Sequence, residues 1–212
     1  MTIDTKDMLN SILSSISRID YVRPDDIPNI DLYMDQVTTF MEKELASSKR
    51  HEEDKILTKT MINNYAKNNL LPPPVKKKYS KEHLLIMIFI YYFKNFLSIK
   101  DIETMLEPIT DKYFDTDQDF NITSIYKEVC ELEKSRIPEF EKEIIRSYNS
   151  SKKCFDEVPE EDRDSLQLFA FICNLSFDIY VKKQIVEKML DNFPDLLHSG
   201  NTGTKKDSKK KK

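Results

Sequence analysis

Seven lysines lie between residues 55 and 81, a stretch that contains no acidic residue. Because the whole chain has a formal net charge of -4, this local positive charge predicts an anionic partner, and the phosphate backbone of a nucleic acid is the commonest one. A basic surface that contacts only solvent is the alternative. The residues concerned are Lys55, Lys59, Lys67, Lys76, Lys77, Lys78 and Lys81.

The polar side chains that could read a nucleic acid share one face of a short helix predicted over residues 59–68. Met61, Ile62 and Tyr65 recur at helical spacing and indicate the buried face. On the opposite face, asparagine can hydrogen-bond an adenine edge and lysine can reach guanine or phosphate, while ordinary exposure is the alternative. We therefore predict contacts with double-stranded DNA, in the major groove by Lys59, Thr60, Asn63, Asn64 and Lys67 and with phosphates by Lys76, Lys77 and Lys78.

Sequence signals before and after the helix predicted over residues 59–68 determine where its polar face lies. Thr58 is a capping residue for the helix, and three consecutive prolines at 72–74 stop it and extend the chain. Residues 75–79 then form a short basic strip beside the helix. Ser80 begins a helix to about residue 95 whose interior, LLIMIFIYYF, is apolar on every side, so other segments must cover it.

Helical periodicity predicts further helices along the chain. The last one is apolar on nearly every side over its first two-thirds, so we expect it to cover the helix after Ser80 and to provide the contact of a homodimer. Pro24 and Pro28 are expected to make an extended link, Pro108 to end a helix and Pro138 to begin one. The predicted ranges are about 5–17, 31–46 with Asn29 or Asp31 as its cap, 98–108, 122–137, 138–148 and 164–193.

The positions of the two glycines exclude several classes of fold. Gly200 and Gly203 both lie near the C-terminus, so residues 1–199 contain none. Phosphate-binding loops of the nucleotide-binding folds need glycine where backbone N–H groups approach the ligand, which excludes those folds. Tight hairpins of the Asn-Gly type are excluded as well, and this lowers the expectation of β structure.

No constellation of side chains predicts catalysis or metal binding. His51, His83 and His198 lack metal-ligand spacing, and the acidic clusters are flanked by polar residues that offer no pocket to tune a pKa. We therefore expect a protein that is not an enzyme and needs no cofactor. The three cysteines are widely spaced, which indicates neither a disulfide framework nor a zinc site. No apolar run is long enough to span a membrane, and these features favour a cytoplasmic location.

The order of the motifs resembles the DNA-binding domain of the MerR-like regulators. Their consensus runs approximately S-V-R-T-I-R-Y-Y-E-x-x-G-L-L-P-P-P, then a wing, then Y-S-E-E-D-L. The corresponding segments here are TKTMINNYAKNNLLPPP, VKKK and YSKEHL. Asn63 stands where the family has an arginine that contacts DNA, and Asn64 where it has the first tyrosine of R-Y-Y. The resemblance implies a winged helix-turn-helix with a short wing.

Residues 25–106 are also similar to a bacterial family known as domain of unknown function 1836. The segments IDLYMDQV, LTKTMINNY and PPPVKKKYS carry this similarity, which implies no activity. The expected function is a DNA-binding transcriptional regulator of the bacterial helix-turn-helix type. The alternative is a non-catalytic helical scaffold that uses the same fold to bind a protein partner.

Together these signals predict an all-α, mainly helical protein. The predicted parts are an N-terminal amphipathic helix (1–23), a MerR-like winged helix-turn-helix domain (24–108), an added C-terminal helical bundle (122–197) and a disordered lysine-rich tail (198–212).

Overall fold

A computed structural model of the chain describes residues 5–16 and 22–199. In this part the fold is mainly helical, as expected, with a small two-stranded antiparallel sheet. From residue 200 onward the predicted lysine-rich tail lies outside the described residues. The helices are α1 (Thr5–Ile16), α2 (Met34–Glu44), α3 (Lys59–Lys67), α4 (Lys81–Phe93), α5 (Ile99–Tyr113), α6 (Ile122–Ser151) and α7 (Glu160–Ser199), and the strands are β1 (Leu32–Tyr33) and β2 (Lys78–Tyr79).

Helix α4 lies at the centre of the main hydrophobic core, as its apolar sequence predicts. Buried residues of α2, α3, α5 and α6 surround it. Burying each large apolar side chain stabilises the fold by about 1.5–3 kcal/mol. The buried residues of α4 itself are His83, Leu84, Leu85, Ile86, Met87, Ile88, Ile90 and Tyr91.

The expectation that the last helix covers α4 is wrong. Helix α6 packs against α4, whereas α7 packs mainly against α5 and α6. Ile122, Tyr126 and Cys130 recur every four residues on α6 and give it one buried stripe that fits the core. The apolar side chains of α7 are distributed around the helix, so most of them cannot face a single neighbour.

A second, smaller cluster joins the other end of the α6–α7 pair to α1. Leu9 of α1, Tyr148 of α6 and Phe171 of α7 are its buried members. The hydroxyl groups of Thr5 and Tyr148 lie 3.0 Å apart and form a hydrogen bond. The predicted amphipathic first helix is therefore present and packs on the C-terminal helices.

Two prolines predicted to bound helices lie inside them. Pro108 is within α5 and Pro138 within α6. A proline inside a helix removes a backbone hydrogen bond and strains the preceding turn. After Pro108, Ile109 and Tyr113 pack against the main core, and after Pro138 the side chain of Tyr148 packs in the second cluster. These contacts favour a continuous helix in each case.

The segment before α2 also differs from the prediction. Pro24–Asp26 is a short 3-10 turn rather than an extended link, and Leu32 and Tyr33 form β1 instead of the first helical turn. Neither Asn29 nor Asp31 caps α2. The backbone N–H of Tyr33 instead donates to Gln36 Oε1 at 2.9 Å, which satisfies one group at the start of the helix.

No helix among the described residues combines the length and the apolar character that crossing a bilayer requires.

Candidate nucleic-acid interface

Helix α3 presents the polar face that the sequence predicts. Thr58 Oγ1 accepts a hydrogen bond from the N–H of Met61 at 3.2 Å and so caps the helix. Ile62 and Tyr65 are buried in the main core. The side chains on the opposite face, Lys59, Thr60, Asn63, Asn64 and Lys67, are all exposed.

The end of α3 is fixed by a Schellman motif. Asn69 adopts a φ of 57°, and the N–H groups of Asn69 and Leu70 donate to the carbonyls of Ala66 at 3.4 Å and Tyr65 at 3.0 Å. Asparagine tolerates this left-handed conformation better than most residues. Leu70 and Leu71 are then buried and anchor the chain before the prolines.

The predicted basic strip is a tight hairpin. Val75 and Lys78 exchange two backbone hydrogen bonds, at 2.9 and 3.1 Å, with Lys76 and Lys77 as the two turn residues. Their φ angles of 51° and 64° are the signature of a type I′ turn. The expectation that a lack of glycine excludes tight hairpins of the Asn-Gly type is therefore wrong, because two lysines adopt the turn that Asn-Gly usually forms. Pairing of β2 with β1 and burial of Tyr79 hold the turn against a cost of about 1–2 kcal/mol per residue.

The start of α2 brings the hairpin and the start of α3 together. Tyr33 pairs with Lys78 across the sheet, and the Lys78 ammonium lies 5.1 Å from the centroid of the Tyr33 ring. Two residues later, Asp35 forms an ion pair with Lys59, the first residue of α3. The predicted groove-reading helix and the predicted phosphate-binding lysines thus flank the first turn of one helix.

The charges of this surface are less uniform than the sequence indicates. Asp35 offsets Lys59, whereas Lys67, Lys76 and Lys77 form no ion pair within the described part of the chain. An open cleft of 480 Å³ beside the start of α3 includes the acidic residues 52–54 in its lining. Polyanion binding is therefore favoured on the hairpin side of α3 and disfavoured on the cleft side.

Residues 45–58, which connect α2 to α3, are anchored on α4 and its C-terminal end. Lys94 Nζ donates to the carbonyl of Ile56 at 2.8 Å, and burial lowers the pKa of this lysine. The hydroxyl groups of Ser48 and Tyr91 lie 2.6 Å apart. This connection is longer than the turn of about three to four residues in a helix-turn-helix, so the position of α3 depends on these anchors.

Two residues of this surface are absent from the predicted site. Tyr33 is 54% exposed and lies beside Lys78, and Asp35 holds Lys59. Both fall in a segment that the sequence assigns to the start of a helix. In the structure, Leu32 is buried and Tyr33 is exposed, which is the alternation expected of a strand. Two residues are too few for such an alternation to be recognised in the sequence.

His83 ties the start of α4 to its surroundings. Its Nδ1 accepts a hydrogen bond from the backbone N–H of Ser80 at 3.0 Å, which completes a capping box. The imidazole lies edge-on to the rings of Tyr79 and Phe114, with centroid distances of 5.5 and 4.7 Å. Burial lowers the pKa of His83, and the Pro72 and Pro73 carbonyls and the carboxylates of Asp31 and Asp115 oppose that shift.

We expect the folding stability of the His83→Gln variant to fall less at acidic pH than that of the parent protein. Because the pKa of His83 is lower in the folded state, the unfolded chain takes up more protons below pH 6.5. Stability is fully present above that pH and is lost as pH falls toward the folded pKa. Glutamine keeps a side-chain acceptor for the Ser80 N–H. Thermal unfolding from pH 8 to 5 measures the effect, and equal pH profiles for both chains would contradict it.

The remaining candidate chemical groups are dispersed. Among residues 5–16 and 22–199, no group of histidine, cysteine and acidic side chains is arranged to hold a metal ion. The three cysteines are unpaired, with Cys130 buried and Cys154 and Cys173 exposed. His51 is exposed in the connection between α2 and α3.

Comparison with known proteins assigns the central part of the chain. Neither a curated protein nor a solved structure matches the chain significantly. A family model described as Domain of unknown function (DUF1836) matches residues 22–129, about half of the sequence. The match begins at the buried Val22 and ends in α6, and so includes β1, α2, α3, the hairpin, α4 and α5. The chain therefore belongs to the DUF1836 family.

Proposed function

We propose that this protein binds double-stranded DNA and acts as a transcriptional regulator, with α3 in the major groove and the hairpin lysines on the phosphate backbone. The observation that carries the proposal is the placement of α3 and the Lys76–Lys77 turn on either side of the first turn of α2. Helix α3 supplies amides and cations for base edges, and the turn supplies cations for phosphates.

The order of the elements supports a comparison with a MerR-like winged helix-turn-helix, with a longer connection between the two helices than the short turn of that motif. Helices α2 and α3 take the places of the two helices, and the turn at Lys76 and Lys77 takes the place of the wing. The wing is reduced to two turn residues, so its contacts are limited to phosphates near the groove edge. Base recognition then rests on Asn63 and Asn64.

A scaffold that binds a protein partner is the second candidate function. The ion pair between Asp35 and Lys59 and the acidic residues 52–54 reduce the positive charge at the start of α3. A polar helix face of this kind also suits a protein surface. The outcome of a DNA selection separates the two candidates.

The test is a selection of genomic DNA fragments by the full-length protein in buffer of low salt concentration. We expect enrichment of one sequence motif, and we expect the Asn63→Ala/Asn64→Ala variant to retain DNA without enriching the motif. Asn149→Ala, at an exposed asparagine of α6, is the matched control and should behave like the parent. If no DNA is retained at low salt, the regulator proposal is wrong and the scaffold remains.

A further inference from the structure

A carboxylate lies among the cations of the candidate nucleic-acid interface. Asp35 is in the first turn of α2, and Lys59 is the first residue of α3. The two side chains form an ion pair in which Lys59 is 59% and Asp35 77% exposed, so a ligand can reach both charged groups. An ion pair as exposed as this one contributes little to folding. Phosphates repel a carboxylate, so the partner of Asp35 in a DNA complex must be a different group.

The ion pair presents hydrogen-bond donors and an acceptor side by side. A lysine ammonium group has three N–H donors. One of them is directed to the Asp35 carboxylate, which leaves two donors of Lys59 for a ligand. A carboxylate has several lone pairs, so Asp35 can accept a further hydrogen bond while it holds Lys59. The ligand that fits this arrangement has two adjacent acceptors with a donor beside them.

One kind of base pair shows this pattern in the major groove of DNA. Guanine presents two adjacent acceptors, N7 and O6, and its partner cytosine presents the N4 amino donor beside O6. The O6 and N4 atoms are joined by a hydrogen bond of about 2.9 Å, which is close to the separation of an ammonium group and a carboxylate in an ion pair. An A·T pair offers no two adjacent acceptors, because the N6 donor of adenine lies between its N7 and thymine O4.

The position of Lys59 on α3 places this contact next to the contact predicted for Asn63. The two residues are four apart on one helix, so they share a face, and both are exposed. Four residues rise about 6 Å along a helix axis, which is about two steps between stacked base pairs of roughly 3.4 Å each. In helix-turn-helix proteins, the N-terminal residues of the recognition helix contact base edges. Lys59 is in that position on α3.

We propose that Asp35 and Lys59 together read one G·C base pair, with Lys59 donating to N7 and O6 of guanine and Asp35 accepting from N4 of cytosine. This inference rests on the proposed binding of double-stranded DNA and adds the identity of one base pair to it. The G·C pair is expected within about two base pairs of the A·T pair that Asn63 contacts.

The test replaces each base pair of the motif from the genomic selection in turn and measures the affinity of the full-length protein by fluorescence anisotropy. For the parent, replacing the G·C pair by A·T is expected to lower the affinity about 10- to 100-fold, the usual cost of one lost base contact. For Asp35→Ala/Lys59→Ala, we expect the same replacement to change the affinity less than about threefold. The other positions of the motif should keep their preferences, which also shows that the double variant is folded.

Asp35→Ala alone separates the roles of the two residues. Lys59 can still contact guanine in this variant, so we expect part of the discrimination against A·T to remain. Full discrimination in Asp35→Ala would exclude the carboxylate from the contact and overturn the inference.

The matched control is Lys127→Ala/Glu131→Ala, which removes a similarly exposed ion pair from α6 and should keep every preference of the parent. A G·C preference that persists in Asp35→Ala/Lys59→Ala, or a motif without a G·C pair at the expected distance, would overturn the inference while DNA binding stands. Loss of preference at every position would show that the ion pair only positions α3, which also overturns it. A parent that retains no DNA would refute the proposed function and this inference with it.

Discussion

A chain that carries Lys76→Asn and Lys77→Gly is expected to bind DNA more weakly and to unfold at a higher temperature. Affinity falls as salt rises, and each lysine that neutralises a phosphate makes the slope of log affinity against log salt steeper by about 0.9. Without the two lysines we expect a slope shallower by roughly two and an affinity lower by about 10- to 100-fold. Asparagine and glycine are the preferred residues of a type I′ turn. Removing lysine from two left-handed positions therefore stabilises the fold by about 1–2 kcal/mol in all.

The matched control is Lys76→Ala/Lys77→Ala. Alanine removes the same two charges but has no preference for positive φ, so we expect the same loss of affinity without the gain in stability. Fluorescence anisotropy at several salt concentrations gives the slope, and differential scanning calorimetry gives the unfolding temperature. Unchanged affinity in both variants would place the hairpin outside the interface. An unchanged unfolding temperature in the Lys76→Asn/Lys77→Gly variant would show that the turn is not strained.

Replacing Tyr126 with alanine is expected to lower the free energy of unfolding by about 3–5 kcal/mol. The side chain is fully buried in α6, and its hydroxyl group donates to the carbonyl of Val22 at 2.9 Å. Its ring lies edge-on to Phe89 of α4, with centroids 5.1 Å apart. Burial raises the pKa of Tyr126 far above its usual value, so the hydroxyl stays protonated and remains a donor.

Tyr126→Phe separates packing from hydrogen bonding. The ring and its contacts remain in this variant, while the carbonyl of Val22 loses its partner, so we expect a loss of about 1–3 kcal/mol. Urea denaturation of the three chains measures both values. Equal stabilities for the alanine variant and the parent would contradict the assignment of α6 to the main core.

Local chemistry was sufficient to predict α3 and the starts of three helices. Thr58 and Ser98 cap their helices through hydrogen bonds to the backbone N–H groups of Met61 and Asp101, and Ser80 and His83 form a capping box. These interactions span three residues, so the sequence alone contains all the partners. The two faces of α3 follow from the helical period in the same way.

Contacts between distant segments account for what the sequence did not predict. The helices continue through Pro108 and Pro138 because residues beyond each proline pack against other elements. The turn at Lys76 and Lys77 depends on a strand more than forty positions earlier in the chain. Because the partners in these contacts are far apart in sequence, neither periodicity nor capping motifs can indicate them.

The same limit applies to the candidate site. The exposure of Asn63, Asn64 and Lys67 could be predicted from helical spacing. The contribution of Tyr33 and the neutralisation of Lys59 by Asp35 could not, because both depend on how β1 pairs with β2 and how α2 packs beside α3.

Helix α6 connects the main core, at Ile122 and Tyr126, to the second cluster, at Tyr148, without interruption. A continuous helix fixes the angle between the main core and the second cluster, which pack on its two ends. Deleting one residue between 131 and 143 would rotate the second cluster by about 100° relative to the core. Deleting seven would restore the angle to within about 20°. The residue count of this helix, more than the identity of its exposed side chains, therefore sets the orientation of the second cluster and of α1 relative to the main core.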